Sequence, residues 1–125
     1  MNKRVLFTAS VFGLLAVILG AFGAHGLKAS LTAAQLETWK TGVDYQFYHS
    51  LALLFVSLIP AGNKSVKVVF YAFTIGIIFF SGSIYLLSTR SITGIQWPFL
   101  GPITPIGGLF FITGWITLLI SALKK

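Results

Sequence analysis

Long apolar stretches, separated by short basic punctuation, make up most of this chain. Charge-free runs cover Val5–Leu27, Tyr45–Asn63, Val68–Thr89 and Ser91–Leu123. A helix needs about 20 mostly apolar residues to cross a bilayer, so the first three runs predict one crossing each. The fourth is longer than a span and contains Pro98, Pro102 and Pro105. Its helix is expected to begin at Thr104-Pro105, with Thr104 as N-cap and Pro105 in the first helical position, and to end near Leu123. The predicted fold is all-α: an integral membrane four-helix bundle forming a single transmembrane domain over residues 1–125. Its spans fall at about 5–24, 44–60, 67–88 and 105–123.

The connections differ in kind. Ala61–Lys67 is short and basic and predicts an antiparallel hairpin of the second and third spans. Gly26–Asp44 contains Thr32-Ala33-Ala34-Gln35, a capping-box pattern that starts a short outer-side helix over about 32–43. No Gly-Pro stop separates that helix from the second span, so an unbroken run between them is left open. Ser91–Thr104 is rich in Pro, Gly and aromatics and too apolar for a solvated loop. It is expected in the membrane interface or folded back on the bundle.

Direction follows from basic residues, which collect on the cytoplasmic side. Lys3, Arg4, Lys64, Lys67, Lys124 and Lys125 fall on one side, six in all, against Lys28, Lys40 and Arg90 on the other. Both termini are therefore expected in the cytoplasm, with the chain crossing the membrane several times. The first run is longer than the ~7–15 residues of a signal-peptide core and is read as a retained helix.

Composition narrows the class further. Hydrophobic residues make up 56% of the 125 residues and charged residues 9%, too few charges to cover a soluble domain, which carries roughly 25%. The absence of cysteine removes disulfides, thiolate nucleophiles and Cys-ligated metal. The net charge of +7 sits at the ends of apolar runs and not on a polar face, which argues against nucleic acid as a partner.

Small residues recur where helices should touch. The first span carries Ala9, Gly13, Ala16, Gly20 and Gly23; the third Ala72, Gly76 and Ser83; the last Gly107, Gly114 and Ser121. Such stripes let backbones approach closely in lipid and are read first as packing surfaces, with a smooth substrate path as the other reading.

Ionisable and polar groups inside a bilayer need a partner or a purpose. The candidates for a ligand site or polar network are His25, Asp44, Tyr45, Gln46, Tyr48, His49 and, from the other outer loop, Arg90. Five residues at about 100° each put Asp44 and His49 about 140° apart on a helix, so they cannot form one dyad. Trp39, Gly42, Tyr45, Gln46, Leu53 and Ser57 share the His49 face, which should point inward. Asp44 shares its side with Tyr48, Leu51 and Phe55 and is expected to meet head groups, a neighbour's Lys or Arg, or Arg90. Glu37 is expected to pair with Lys40 or Thr41.

His49 is read first as a buried neutral histidine bonded to Tyr45 or another helix, then as a proton-relay or ligand contact, then as a haem or metal ligand beside His25. Two histidines without a third strong ligand make a poor zinc site, and no cofactor is expected. His25 is read as a C-terminal cap bonding the last carbonyls. Trp39, Trp97 and Trp115 are read as interfacial anchors or core.

Four motifs resemble a known family: Gly20-Ala-Phe-Gly-Ala-His-Gly-Leu27, Thr41-Gly-Val-Asp-Tyr-Gln-Phe-Tyr-His49, Phe80-Ser-Gly-Ser-Ile-Tyr85, and Ile103-Thr-Pro-Ile-Gly-Gly108 followed by Gly114-Trp115. In this order, and over nearly the whole chain, they look like the small bacterial membrane proteins of domain-of-unknown-function 423. That uncharacterised protein family has a eukaryotic relative called transmembrane protein 256. The resemblance implies a multi-pass inner-membrane protein of about this length and assigns no activity or site residue.

With no nucleophile–base pair or metal triad in the sequence, an enzyme is not expected. The first functional expectation is a non-enzymatic binding or scaffolding membrane protein, with the lipid bilayer and a homo-oligomer or membrane-protein partner as its associates. The alternative is a transporter, channel or lipid-binding module with an outward-facing cavity lined by His25, Tyr45, Gln46 and His49.

Overall fold

A computed structural model describes residues 1–60 and 62–124, and the elements it contains there are all helical. Four long helices dominate: α1 (Lys3–His25), α2 (Ala33–Val56), α3 (Lys64–Ser88) and α5 (Leu100–Leu123), with a single-turn α4 (Arg90–Thr93) before the last. Helices α1, α3 and α5 are long and apolar enough to cross a membrane.

Local chemistry sets the helix starts. Asn2 accepts from the Val5 N–H to cap α1, and Asn63 from the Ser65 N–H to cap α3. Thr32 and Gln35 form the reciprocal capping box expected from the sequence, at 2.9 and 3.1 Å. From that cap α2 runs unbroken to Val56. The outer-side helix over about 32–43 and the second span over about 44–60 are thus one helix, not two. Gly42 does not interrupt it, because its missing side chain is used for contact: a Cβ there would meet Ile84 and Tyr85 of α3 at 2.9 Å.

The last helix corrects the expectation at Thr104-Pro105. It begins at Leu100, five residues earlier, with Pro105 inside it. Pro102 lies in the first turn, where a missing N–H costs nothing. Pro105 removes a single bond, the one to the Gly101 carbonyl, and Gly101 is exposed. Thr104 caps nothing; its hydroxyl bonds back to the Leu100 carbonyl and meets Ser83 of α3.

Within α3, Ile77–Ser81 forms a π-helical turn between Gly76 and Gly82, a feature with no counterpart in the sequence expectations.

Helix α2 lies antiparallel to α1 along the whole of α1. The Asn2 N–H donates to the Ser57 carbonyl at one end, and the Trp39 indole donates to the Leu19 carbonyl near the other. The small stripe of α1 faces α2, with Gly13 against Ser50, Gly20 against Val43 and Gly23 against Trp39. Helices α3 and α5 interlock differently, glycine against aromatic: Gly114 on Phe73, Gly76 on Phe111, Gly107 on the backbone of Phe80. All four long helices meet in one core that includes Val5, Leu53, Val69, Phe73, Ile77 and Phe111, and a smaller cluster around Leu27, Leu31 and Trp39 closes the opposite end.

Candidate functional site

The buried face of α2 carries two of the side chains singled out from the sequence, Gln46 and His49, and both bond to another helix. Gln46, 3% exposed, donates its amide N–H to the Phe12 carbonyl of α1 at 2.8 Å and accepts from the Tyr85 hydroxyl of α3 at 2.6 Å. Both ends of its amide are spent on neighbours. Four residues earlier on the same face, the Gly42 carbonyl accepts from Ser81, a fully buried serine in the π turn, at 2.7 Å.

His49 lies deeper and is also buried. Its Nδ1 is 2.8 Å from the Tyr45 carbonyl, one turn back, and its Nε2 is 3.0 Å from the Trp115 indole nitrogen on α5. Indole N–H only donates. Nε2 therefore accepts, Nδ1–H donates to Tyr45, and the ring is a neutral imidazole with both nitrogens occupied. Phe111 stacks on it at 3.6 Å between centroids and 11° between planes, and Phe73 meets it edge-on at 5.0 Å. Such a histidine has no lone pair left for a metal or haem iron. Among the described residues, no three His, Cys, Asp or Glu side chains gather as a metal would need.

Tyr45 borders this centre, its ring 6.2 Å from that of His49, and the other candidates lie apart from it. Tyr45 is at the edge of the inward face, 40% exposed, over Phe80 and Tyr48. Tyr48 is exposed. Asp44 takes its partner from its own helix, the Lys40 ammonium at 3.0 Å, which displaces the expected pairings with Arg90 and of Glu37 with Lys40. That carboxylate, by hydrogen bond and charge, raises the Lys40 amine above its ordinary 10.5. Glu37 contributes only its backbone carbonyl, to Thr41. Arg90 is half-buried at the start of α4, its Nε enclosed and without a hydrogen bond. The α1 cap is the backbone N–H of Gly26, bonded to the Phe22 carbonyl, and the His25 imidazole is exposed and makes no capping bond. Gln46 and His49 are buried, whereas Tyr45 and His25 are exposed.

The concave surface at this end is instead a groove of about 440 Å³ between α1 and α2, with Gly20, Gly23 and Val43 among its walls and Lys28, Glu37, Lys40 and Asp44 at its rim.

Sequence reasoning missed the partners more than the residues. Tyr85, Ser81, Phe111 and Trp115 complete the network; Phe111 had not been singled out, Ser81 and Tyr85 stood only within a resemblance motif, and Trp115 was read as an interfacial anchor or core. Its depth was the available signal: it stands eight residues inside the end of its helix, well below the level where an interfacial anchor belongs.

Three membrane-length apolar helices, packed on polar groups satisfied by one another, define a helical membrane protein. The chain belongs to the family described as "Protein of unknown function (DUF423)", whose model matches residues 19–108. It is 41% identical to the UPF0382 membrane protein YwdK of Bacillus subtilis (strain 168), over 98% of each chain. It is 39% identical to a UPF0382 membrane protein of Haemophilus influenzae, over 100% of this chain and 98% of the relative. Against the UPF0382 inner membrane protein YgdD of Escherichia coli (strain K12) the identity is 35%, over 98% and 92%. No solved structure matches the chain.

Proposed function

We propose that this protein is a non-enzymatic scaffold of the bacterial inner membrane, crossing it four times with both ends in the cytoplasm and binding a second copy or another membrane protein. The fourth crossing is α2. It runs beside α1 from the Ser57 tie to the Trp39 tie, so a bilayer deep enough for α1 also encloses the apolar part of α2. The helical stretch from Asp44 to Val56 rises about 18 Å at 1.5 Å per residue, short of the ~30 Å hydrocarbon core, with the turn at Ser57–Pro60 extending beyond the helix end. The Lys40–Asp44 pair then lies at the outer boundary. The distribution of basic residues supports the orientation.

The observation that carries the scaffold reading is the spending of interior polar groups on helix–helix bonds: Trp39 to Leu19, Gln46 to Phe12 and Tyr85, Ser81 to Gly42, His49 to Trp115. A transport path or catalytic centre needs some of these groups free. The transporter, channel or lipid-binding alternative draws its support from the 440 Å³ groove beside Lys28 and Lys40.

Two measurements test this. The chain has no cysteine, so single cysteines report topology cleanly. Asn2→Cys and Lys124→Cys should resist a membrane-impermeant maleimide in intact cells, and Ser30→Cys and Gln96→Cys should react. Extraction into native-lipid nanodiscs should yield a homo-oligomer or a stoichiometric partner. A strict monomer without partner, or solute flux in proteoliposomes between pH 5 and 8, refutes the scaffold reading.

A further inference from the structure

At the end of the molecule holding Asn2 and Lys64, a second pocket of about 240 Å³ opens between the start of α1 and the start of α3. Three cations line it: Arg4, Lys64 and Lys67, with Asn2, Asn63 and Tyr71 completing the rim. Among the described residues that line it, none carries a carboxylate side chain. The only two carboxylate side chains of the chain, Glu37 and Asp44, lie on the half of α2 that pairs with the opposite end of α1, as the Trp39–Leu19 bond shows.

Arg4 is held in place. Its Nη2 donates to the Tyr71 hydroxyl at 3.3 Å, and the guanidinium stands 5.5 Å from the Phe70 ring centroid and 5.8 Å from that of Tyr71. Lys64 and Lys67 sit in the first turn of α3, where the helix dipole repels cations. All three cations are exposed at the surface with no acidic partner among the residues around them, which leaves them available to an anion.

A second surface continues from the pocket. An apolar groove of about 350 Å³ shares Lys67 and Tyr71 with it and descends between α3 and α5 along Val68, Ala72, Ile75, Phe110 and Thr113. From Lys67 to Ile75 it runs about 12 Å down the helix axis. A cationic cup at the membrane surface leading into an apolar channel along the membrane face has the form of a phospholipid: phosphate head above, acyl chain below. We propose that Arg4, Lys64 and Lys67 bind the phosphate head group of an anionic phospholipid whose acyl chain lies along the α3–α5 groove. This rests on the membrane location alone, not on the number of crossings or the scaffold role.

The test uses the full chain, delipidated in a neutral detergent. Tryptophan-quenching titration with brominated-chain phosphatidylglycerol or phosphatidylcholine, together with native mass spectrometry, reports occupancy. The wild type should retain phosphatidylglycerol at least tenfold more tightly than phosphatidylcholine, and millimolar inorganic phosphate should not compete. Each of Arg4→Gln, Lys64→Gln and Lys67→Gln should weaken phosphatidylglycerol about fivefold, the worth of one basic residue near an anionic lipid. Lys3→Gln and Lys124→Gln, at the same end but outside the cup, should change it less than twofold. Val68→Trp, which narrows the groove and leaves every charge in place, should weaken both lipids. Equal affinity for the two lipids, displacement by inorganic phosphate, or equal effects inside and outside the cup each overturn the assignment. The wild-type lipid comparison stands even if a variant fails to fold.

Discussion

Gly107 and Gly108 are adjacent on α5, yet alanine should act on them with opposite signs. At Gly107 a Cβ would land on the backbone nitrogen of Phe80, with the Phe80 Cα and Cβ each at 2.8 Å. Backbone cannot rotate aside as a ring can, so the two helices must separate by about 1 Å to restore ordinary contact. Overpacking of this kind costs about 1–3 kcal/mol, and a backbone obstacle argues for the upper end. Alanine returns about 1 kcal/mol of helix propensity over glycine, leaving a net loss of about 2 kcal/mol. At Gly108 the nearest atom is a Phe80 ring carbon at 4.0 Å, an ordinary contact, so the propensity gain survives and the variant should be neutral or up to about 1 kcal/mol more stable. The two variants add the same methyl group to the same helix, so lipid partitioning and detergent effects cancel in their difference. Reversible unfolding in mixed micelles with increasing dodecyl sulfate, followed by far-ultraviolet circular dichroism, measures that difference at about 2–3 kcal/mol. Equal stabilities, or a more stable Gly107→Ala, would falsify the glycine–backbone contact between α3 and α5.

Other consequences follow from the polar ties. Trp115→Phe leaves His49 Nε2 buried without a donor and should lose about 1 kcal/mol, within the range measured for interhelical bonds in membranes; a stability equal to wild type in the same titration means the bond does not form. Gln46→Leu removes bonds to α1 and α3 together and should cost more than Tyr85→Phe. Once Gln46 is leucine, Tyr85→Phe should cost little further, and strict additivity in the double-mutant cycle would show the two groups are not partnered. For Lys40 the sign is fixed by its raised folded-state pKa. The stabilisation from the Asp44 pair is complete below the ordinary 10.5 and disappears as pH climbs through the higher folded value. In Asp44→Asn the Lys40 amine should acylate faster than in wild type at pH 9–10, and unchanged reactivity would remove the pair from solution.

The candidate site was legible in the sequence as residue types on a helix face but not as partners. Helical spacing alone put Gln46 and His49 on the inward side of α2 and Tyr48 on the outward side, and their burial follows that division. Tyr45 sits at the boundary of the face, and its 40% exposure reflects that position. Which atoms these side chains would meet depends on the rotation and depth of three other helices, and one-dimensional spacing carries neither. Hence the partners named for Asp44 were head groups, a neighbour's Lys or Arg, or Arg90, when Lys40, one turn away on its own helix, is the one it meets.

Some properties were determined by the chain alone. Membrane residence follows from the length of the apolar runs and the scarcity of charge, because hydrocarbon admits little else. The start of α2 follows from the Thr32–Gln35 box, a bond pair closed within four residues. The small-residue stripes likewise marked the contact faces before any contact was known. Only the tertiary structure decided the rest. Helix α5 absorbs Pro105 because the one carbonyl it orphans belongs to Gly101, an exposed residue in the first turn, and local preference cannot see which residues end up exposed. The π turn in α3 accompanies the bond from Ser81 to the α2 backbone, and the neutral state of His49 is fixed by an indole 66 positions along the chain. Local bonds are written in adjacent residues, whereas long-range ones exist only after four helices have chosen their rotation about one another.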